Sequence, residues 1–238
     1  MGGLEGKAVC VTGASRGIGR AIALRLAREG ASLLLAARNR PLLGLVAEEA
    51  RALGGRPRAV VCDVRRPAQT RRLARAAEGL AGGLDALVNN AGAGSFAPLE
   101  ELDEQGWEET LGTCLKGAYL CTRALLPLLE RRGGHVINIS STAALVGFAG
   151  SAAYCAAKAG LEGFSRALAE ELRPRGMRVS VVRPGPTRTD IWDAIPGEYD
   201  RSQMMEAEVV AESVAHILCQ PPSAVVGDLT LLPASGRP

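Results

Sequence analysis

The chain reads as an α/β protein: a doubly wound parallel sheet of about seven strands with helices on both faces. Three observations point there. Short, nearly continuous apolar runs recur along the 238 residues, as strands buried on both faces require. Longer amphipathic stretches alternate with them, the pattern of parallel strands joined by crossover helices. Glycine or proline closes many segments, as at Gly30, Gly54, Pro67, Gly133 and Pro174.

In order, the first strand is "KAVCVT" (7–12), followed by a helix over 17–29. Strand "SLLLAA" (32–37) precedes a helix over 40–53, and "RAVVC" (58–62) one over 67–81. "LDALVN" (84–89) is followed by a long helix, 103–131. "GHVINIS" (134–140) leads to 151–173, and "MRVSVVR" (177–183) to 206–219. "VVGDLTLL" (225–232) closes the sheet. No internal repeat, linker or low-complexity tract intervenes. The length suits one α/β domain over 1–238, with a substrate loop around 186–205.

Composition removes several classes of function. Hydrophobic residues at 47% support a large core, and charged residues at 22% argue against disorder. A net charge of +3 without basic runs gives no reason to expect nucleic acid. No apolar run reaches membrane-span length. The start, "MGGLEGKAVCVTG", lacks a cationic region before an apolar core and lacks a Ser or Thr at position 6. A cytoplasmic protein without membrane association is expected. Cys10, Cys62, Cys114, Cys121, Cys155 and Cys219 form no CxxC pair, so free thiols in a reducing compartment are expected. The two histidines, His135 and His216, fall in strand and helix patterns, and no metal site is expected.

The first turn carries the earliest functional signal. "VCVTGASRGIGRAIALRLAREG" (9–30) is a buried strand, a glycine-rich turn and an amphipathic helix. Gly13, Gly17 and Gly19 allow positive φ and close backbone approach. The helix beyond offers unpaired N–H groups and the positive end of its dipole to a pyrophosphate. The second strand ends "LLLAARNR", with Arg38 where an NAD site usually has an acid. With Arg16 in the turn, two guanidinium groups suit a 2′-phosphate. NADP(H) is therefore the expected cofactor.

"SAAYCAAKAG" (151–160) holds one of only three tyrosines and one of only three lysines. Tyr154 and Lys158, four apart on a helix, share a face. An ammonium there pulls a phenol's pKa, ordinarily about 10, downward. The pair can then exchange a proton with an alcohol or a carbonyl oxygen. Ser141, at the end of the strand thirteen residues earlier, offers a hydroxyl to the same oxygen.

Together these segments resemble the short-chain dehydrogenase/reductase family over nearly the whole chain. "TGASRGIG" (12–19) matches its cofactor turn, "NNAG" (89–92) its bracing segment, and Ser141, Tyr154 and Lys158 its catalytic set. The resemblance implies a Rossmann-type fold and hydride chemistry on a nicotinamide cofactor. It places Ser15 and Ile18 with the three turn glycines against the phosphates. Asp63 and Val64 in "CDV", with Asn90, Ala91 and Gly92, would lie on the adenosine side. Pro184 and Gly185 would wall the nicotinamide, and Thr187 and Thr189 would touch its ribose, amide or phosphates. Lys158 would hold the ribose hydroxyls and Tyr154 would carry the proton. Ala152, Ala153, Ala156 and Ala157 would let that helix press on the cofactor.

Two departures are visible. The family's further catalytic residue is an asparagine seven positions after a tryptophan; counting from Trp107 reaches Cys114. A thiol is a weak donor and acceptor, so it would hold the family's relay water poorly. The C-terminus, "LTLLPASGRP", is unlike the "VDGG"-type ending of many 3-oxoacyl–acyl carrier protein reductases. The reading is an NADP(H)-dependent carbonyl reductase or alcohol dehydrogenase acting on a small carbonyl or alcohol. A 3-oxoacyl–acyl carrier protein reductase and a dinucleotide-binding regulator are the alternatives. Trp192, Ile195, Tyr199, Met204 and Met205, with Phe96 and Phe148 opposite, are the candidate substrate pocket; Arg188 would meet a carboxylate or solvent. The resemblance also implies a homodimer or homotetramer through 103–131 and 151–173, with Leu111, Leu115, Leu125, Phe164 and Leu168 among the apolar positions.

Overall fold

A computed structural model describes residues 3–80 and 82–236. Seven parallel strands form one sheet in the order β3-β2-β1-β4-β5-β6-β7. They are β1 Ala8–Thr12, β2 Ser32–Ala37, β3 Arg56–Val61, β4 Ala86–Asn89, β5 His135–Ile139, β6 Arg178–Pro184 and β7 Asp228–Leu231. The helices are α1 Gly17–Ala27, α2 Arg40–Ala52, α3 Pro67–Glu78, α4 Glu104–Leu111, α5 Gly117–Glu130, α6 Ala152–Leu172 and α7 Ala207–Leu218. The strand order reverses direction between β1 and β4, which opens a crevice at their carboxyl ends.

The helix expected over 103–131 is not uniform. A π-helical segment, Gly112–Lys116, separates α4 from α5 and contains Cys114. Just after it, Gly117 packs closely: a Cβ there would stand 2.6 Å from Val64 Cγ2. Such π segments interrupt α-helices frequently at functional sites.

Alternation along the strands divides the core. Val9, Val11, Leu33 and Leu35 face α1, α2 and α7. Ala8, Cys10, Leu34 and Ala36 face the side that holds α3, α5 and the end of α6. This period of two on a buried sheet is why the strands read as continuous apolar runs. The edges differ. β3 is largely exposed and carries Pro57, which cannot donate to a ladder and suits an edge. Local capping agrees with the boundaries: Asn39 accepts from the amide of Leu42 at 3.0 Å, and Asp103 from that of Gly106 at 2.8 Å.

His135 lies at the far end of β5 from the crevice. Its Nε2 is 2.7 Å from Ser180 Oγ, while its Nδ1 has no partner. Burial, helped by the charge of Arg178, depresses its pKa from 6.5 to about 3.

Candidate active site

The carboxyl ends of the strands enclose a cleft of about 830 Å³. On one side stand Gly13, Ser15, Arg16, Gly17 and Ile18, with Arg38, Asp63 and Val64 beside them. Asn90, Ala91 and Gly92 form the floor. Ser141, Tyr154, Lys158, Pro184, Gly185, Thr187 and Thr189 form the other side. Of the residues expected at the cofactor, only Gly19 is missing from the wall.

Gly19 serves the turn from behind. A Cβ there would lie 2.2 Å from the Gly13 carbonyl oxygen and 2.4 Å from Asn90 Nδ2. Asn90 locks the same turn, donating from Nδ2 to the carbonyl of Thr12 at 3.0 Å. Gly13 and Gly17 adopt φ of 65° and 51°, a region costly for other residues. Arg16 precedes α1 without a side-chain cap, and no acid stands in the first turn of that helix. Its leading N–H groups therefore open on the cleft with no competing carboxylate, which fits a pyrophosphate.

Beyond β2 the wall is Ala37, Arg38 and Asn39. Asn39 is committed to capping α2, so no acid waits for a ribose hydroxyl there. The Asp63 carboxylate is bound by Arg65, with Nη2 to Oδ2 at 2.8 Å. Arg65, and more weakly Arg38, hold its pKa below the ordinary value. Arg38 is exposed at the lip, and Arg16 makes a 3.3 Å pair with Asp190 across the mouth. Both guanidinium groups stand at the cleft lining and bring positive charge to that end of it.

The other side converges on the phenol of Tyr154. Ser141, just past β5, lies near enough to the phenol to lower its pKa and accepts the Ala143 amide at 3.1 Å. Lys158 is buried, donates to the carbonyl of Ile139 at 2.8 Å, and sits 5.5 Å from the Tyr154 ring centroid. The expected direction of the lysine's influence holds, but the net effect does not follow it. Burial raises the phenol above its ordinary value and outweighs the lowering by Lys158 and Ser141; Cys114 and Cys155 add to the rise. Phe96 packs on Tyr154 with ring centroids 5.5 Å apart. Gly94 makes room for it, since a Cβ there would meet Phe96 at 2.5 Å.

Several expectations need correction. Cys114 is buried behind the wall, its thiol donating to the carbonyl of Ala93 at 3.1 Å, while Thr113 reaches the cleft. Ala153 and Ala157 face inward, but Ala152 and Ala156 are exposed, because the inward stripe of α6 repeats every third or fourth residue. Trp192, Ile195, Tyr199, Phe96 and Phe148 line the cleft, but Met204 and Met205 do not. Met204 is buried, and residue 205 bridges back to Thr187. Arg188 pairs with Glu206 outside the cleft. Leu125 and Leu168 are packed in the chain's own core, so neither is free to meet another copy.

Not legible in the sequence are Glu162, which is buried, and Arg183, which is half-buried; they form an ion pair 2.6 Å apart behind the site. The one available signal was an acid on the inward stripe of α6, at Lys158 plus four.

Sheet order, crossover helices and a glycine turn at the reversal point define a Rossmann-type doubly wound protein. The family described as short chain dehydrogenase matches residues 7–200, and the chain belongs to that family of oxidoreductases. It is 36% identical over 234 residues to a sepiapterin reductase of Chlorobaculum tepidum, covering 95% of this chain and 96% of that one. It is 38% identical over 201 residues to a 3-oxoacyl-[acyl-carrier-protein] reductase of Staphylococcus aureus, covering 84% and 81%. An alcohol dehydrogenase from the archaeon Thermococcus sibiricus, solved with 5-hydroxy-NADP, superposes with a TM-score of 0.90 at 30% identity over 98% of both chains.

Proposed function

We propose that this protein is an NADP(H)-dependent reductase or dehydrogenase that interconverts an uncharged carbonyl compound and its alcohol. The observation that carries this reading is the convergence of Ser141, Tyr154 and Lys158 on one wall of the cleft. When bound, the nicotinamide supplies or accepts the hydride. The turn and the α1 N-terminus would hold the pyrophosphate, and Arg38 and Arg16 would hold the 2′-phosphate. Lys158 would hold the nicotinamide ribose, and Pro184, Gly185, Thr187 and Thr189 would stand at the nicotinamide end. Ser141 orients the substrate oxygen and Tyr154 Oη gives it a proton.

The substrate side is largely apolar: Phe96, Phe148, Trp192, Ile195 and Tyr199 stand there, and Arg188 in the adjoining loop pairs with Glu206 instead of lining the cleft. This supports a neutral ketone or aldehyde over a carboxylate or a carrier-bound acyl group. Likeness to the Staphylococcus aureus protein makes 3-oxoacyl thioesters the second substrate class. Among the described residues, no helix is long and apolar enough to cross a membrane, and no group of three or more His, Cys, Asp or Glu is placed to hold a metal. We place the enzyme in the cytoplasm as a homodimer or homotetramer. Leu115 of the π segment, Tyr119 of α5 and Phe164 of α6 are among the partly exposed apolar groups of these segments.

The test is NADPH oxidation against a panel of neutral ketones, aldehydes and 3-oxoacyl thioesters, with Tyr154→Phe as control. The wild type should turn over at least one neutral carbonyl, and the variant should lose roughly 10²–10⁴ in rate while binding NADPH normally. Tight NADPH binding with no turnover on any member would instead favour a dinucleotide-binding regulator.

A further inference from the structure

Three hydrogen bonds set the height of α6 against the tip of β5, on the stripe that also carries Tyr154. Lys158 donates to the carbonyl of Ile139 at 2.8 Å. Ser140 Oγ donates to Glu162 Oε1 at 2.8 Å, and Asn138 Nδ2 donates to Ser165 Oγ at 2.7 Å. The helix residues 154, 158, 162 and 165 share one stripe, so the contacts act as a ladder.

Glu162 is the rung that chemistry explains least well on its own. A buried carboxylate is costly unless it is paired and hydrogen-bonded. Glu162 is only 4% exposed. The same Oε1 accepts both Ser140 Oγ and Arg183 Nε, the latter at 2.6 Å. Arg183 comes from β6 and extends its Nη2 to Asp228 on β7. Three strands are thus tied to one acid on α6. Ser140, the residue that the acid grips, lies between Ile139, which holds Lys158, and Ser141.

We propose that Glu162 is a positioning residue for the reaction inferred above: its grip on Ser140 sets where Ser141 and Lys158 stand relative to Tyr154. The inference rests on that functional reading. Glu162 touches neither substrate nor cofactor and acts through Ser140. The charged groups around it are Arg183, Asp228 and, one turn back, Lys158; those acting on Tyr154 include Lys158, Cys114 and Cys155. Removing the acid's charge leaves Arg183 and Lys158 without it, which favours the phenolate.

Three proteins separate the outcomes: wild type, Glu162→Gln, and a double variant with Glu162→Leu and Arg183→Leu. With a carbonyl found in the panel above, Glu162→Gln should lower kcat on the order of 10-fold, with KM and NADPH affinity nearly unchanged. The pH at which the acid form is lost should move down. The double variant removes both charges and should recover any thermal stability lost in the single one, but not kcat. Wild-type kcat in Glu162→Gln, or full return of kcat in the double variant, overturns the proposal. If the wild type reduces nothing, the functional reading falls separately. The ultraviolet titration of Tyr154, taken as the difference from Tyr154→Phe, then decides: an unchanged midpoint in Glu162→Gln overturns the proposal, and a lowered one supports it.

Discussion

The two walls of the cleft meet at the exposed Arg16–Asp190 pair, yet they are held by different means. The glycine-turn wall is backbone against backbone. A single added carbon at Gly13 would come within 2.8 Å of Ala91 Cα, and one at Gly19 within 2.2 Å of a carbonyl. The wall over 186–205 is two short 3₁₀ turns, Asp190–Ala194 and Arg201–Gln203, joined by side-chain contacts. Trp192 donates from Nε1 to the carbonyl of Thr187 at 2.8 Å and packs on Tyr199 with centroids 4.7 Å apart. Most of its residues are exposed or half-buried. The comparison teaches that the cofactor side tolerates almost no change in shape, whereas the substrate side is defined by replaceable side chains on a loop.

The largest expected effect tests the rigid wall. Gly19→Ala should destabilise the fold by about 3 kcal/mol, the upper range for overpacking, and abolish NADPH binding. Chemical denaturation and a fluorescence titration would read both; near-normal values would show that the turn can yield. Next, Arg38→Ala should cost about 2 kcal/mol of NADPH affinity, the worth of charge-assisted bonds. NADH affinity should stay level, so the ratio of the two dissociation constants is the measurement. On the flexible wall, Trp192→Ala should change KM and substrate preference by roughly 10-fold, about what one lost apolar contact is worth. Its unfolding midpoint and NADPH affinity should stay close to the wild type. A large loss of stability there would remove the contrast between the walls.

His135 provides a control outside both walls. Below pH 6.5 the unfolded chain gains a proton that the folded chain refuses down to about pH 3. Stability from this group is therefore complete above pH 6.5 and declines as pH falls, by at most about 1.4 kcal/mol per unit. Melting temperatures at pH 7 and 4.5 should differ less in His135→Asn than in the wild type; equal differences would count against this account. The smallest effect is expected at Cys114. Its thiol is already engaged with Ala93, so Cys114→Asn should raise turnover only a few-fold, with NADPH affinity unchanged, as steady-state kinetics would report.

How far the site was legible depended on whether a residue's role is local. Gly13, Gly17 and Gly19 announced themselves because spacing within a turn dictates backbone shape. Tyr154 and Lys158 did so because four residues on a helix place two groups on one face. Arg188 was left open between a carboxylate and solvent, and only the fold shows that Glu206, eighteen positions on, holds it. Met204 misled for the same reason, its burial being set by contacts distant in sequence. The net shift of the Tyr154 phenol was only half legible: the lowering by a lysine four residues away is visible in a string of letters, but the opposing desolvation by burial is not.

The sequence by itself determined the alternating strands and helices, the glycine turn, and the identity of the serine, tyrosine and lysine, because periodicity and short-range spacing act through neighbouring backbone. Only the tertiary structure decided which side of Leu125 or Ala152 faces solvent, that a π segment interrupts the long helix at Cys114, and that Glu162 reaches across to Ser140 and Arg183. Those facts come from elements packing at long range, where burial and partner choice depend on the whole sheet.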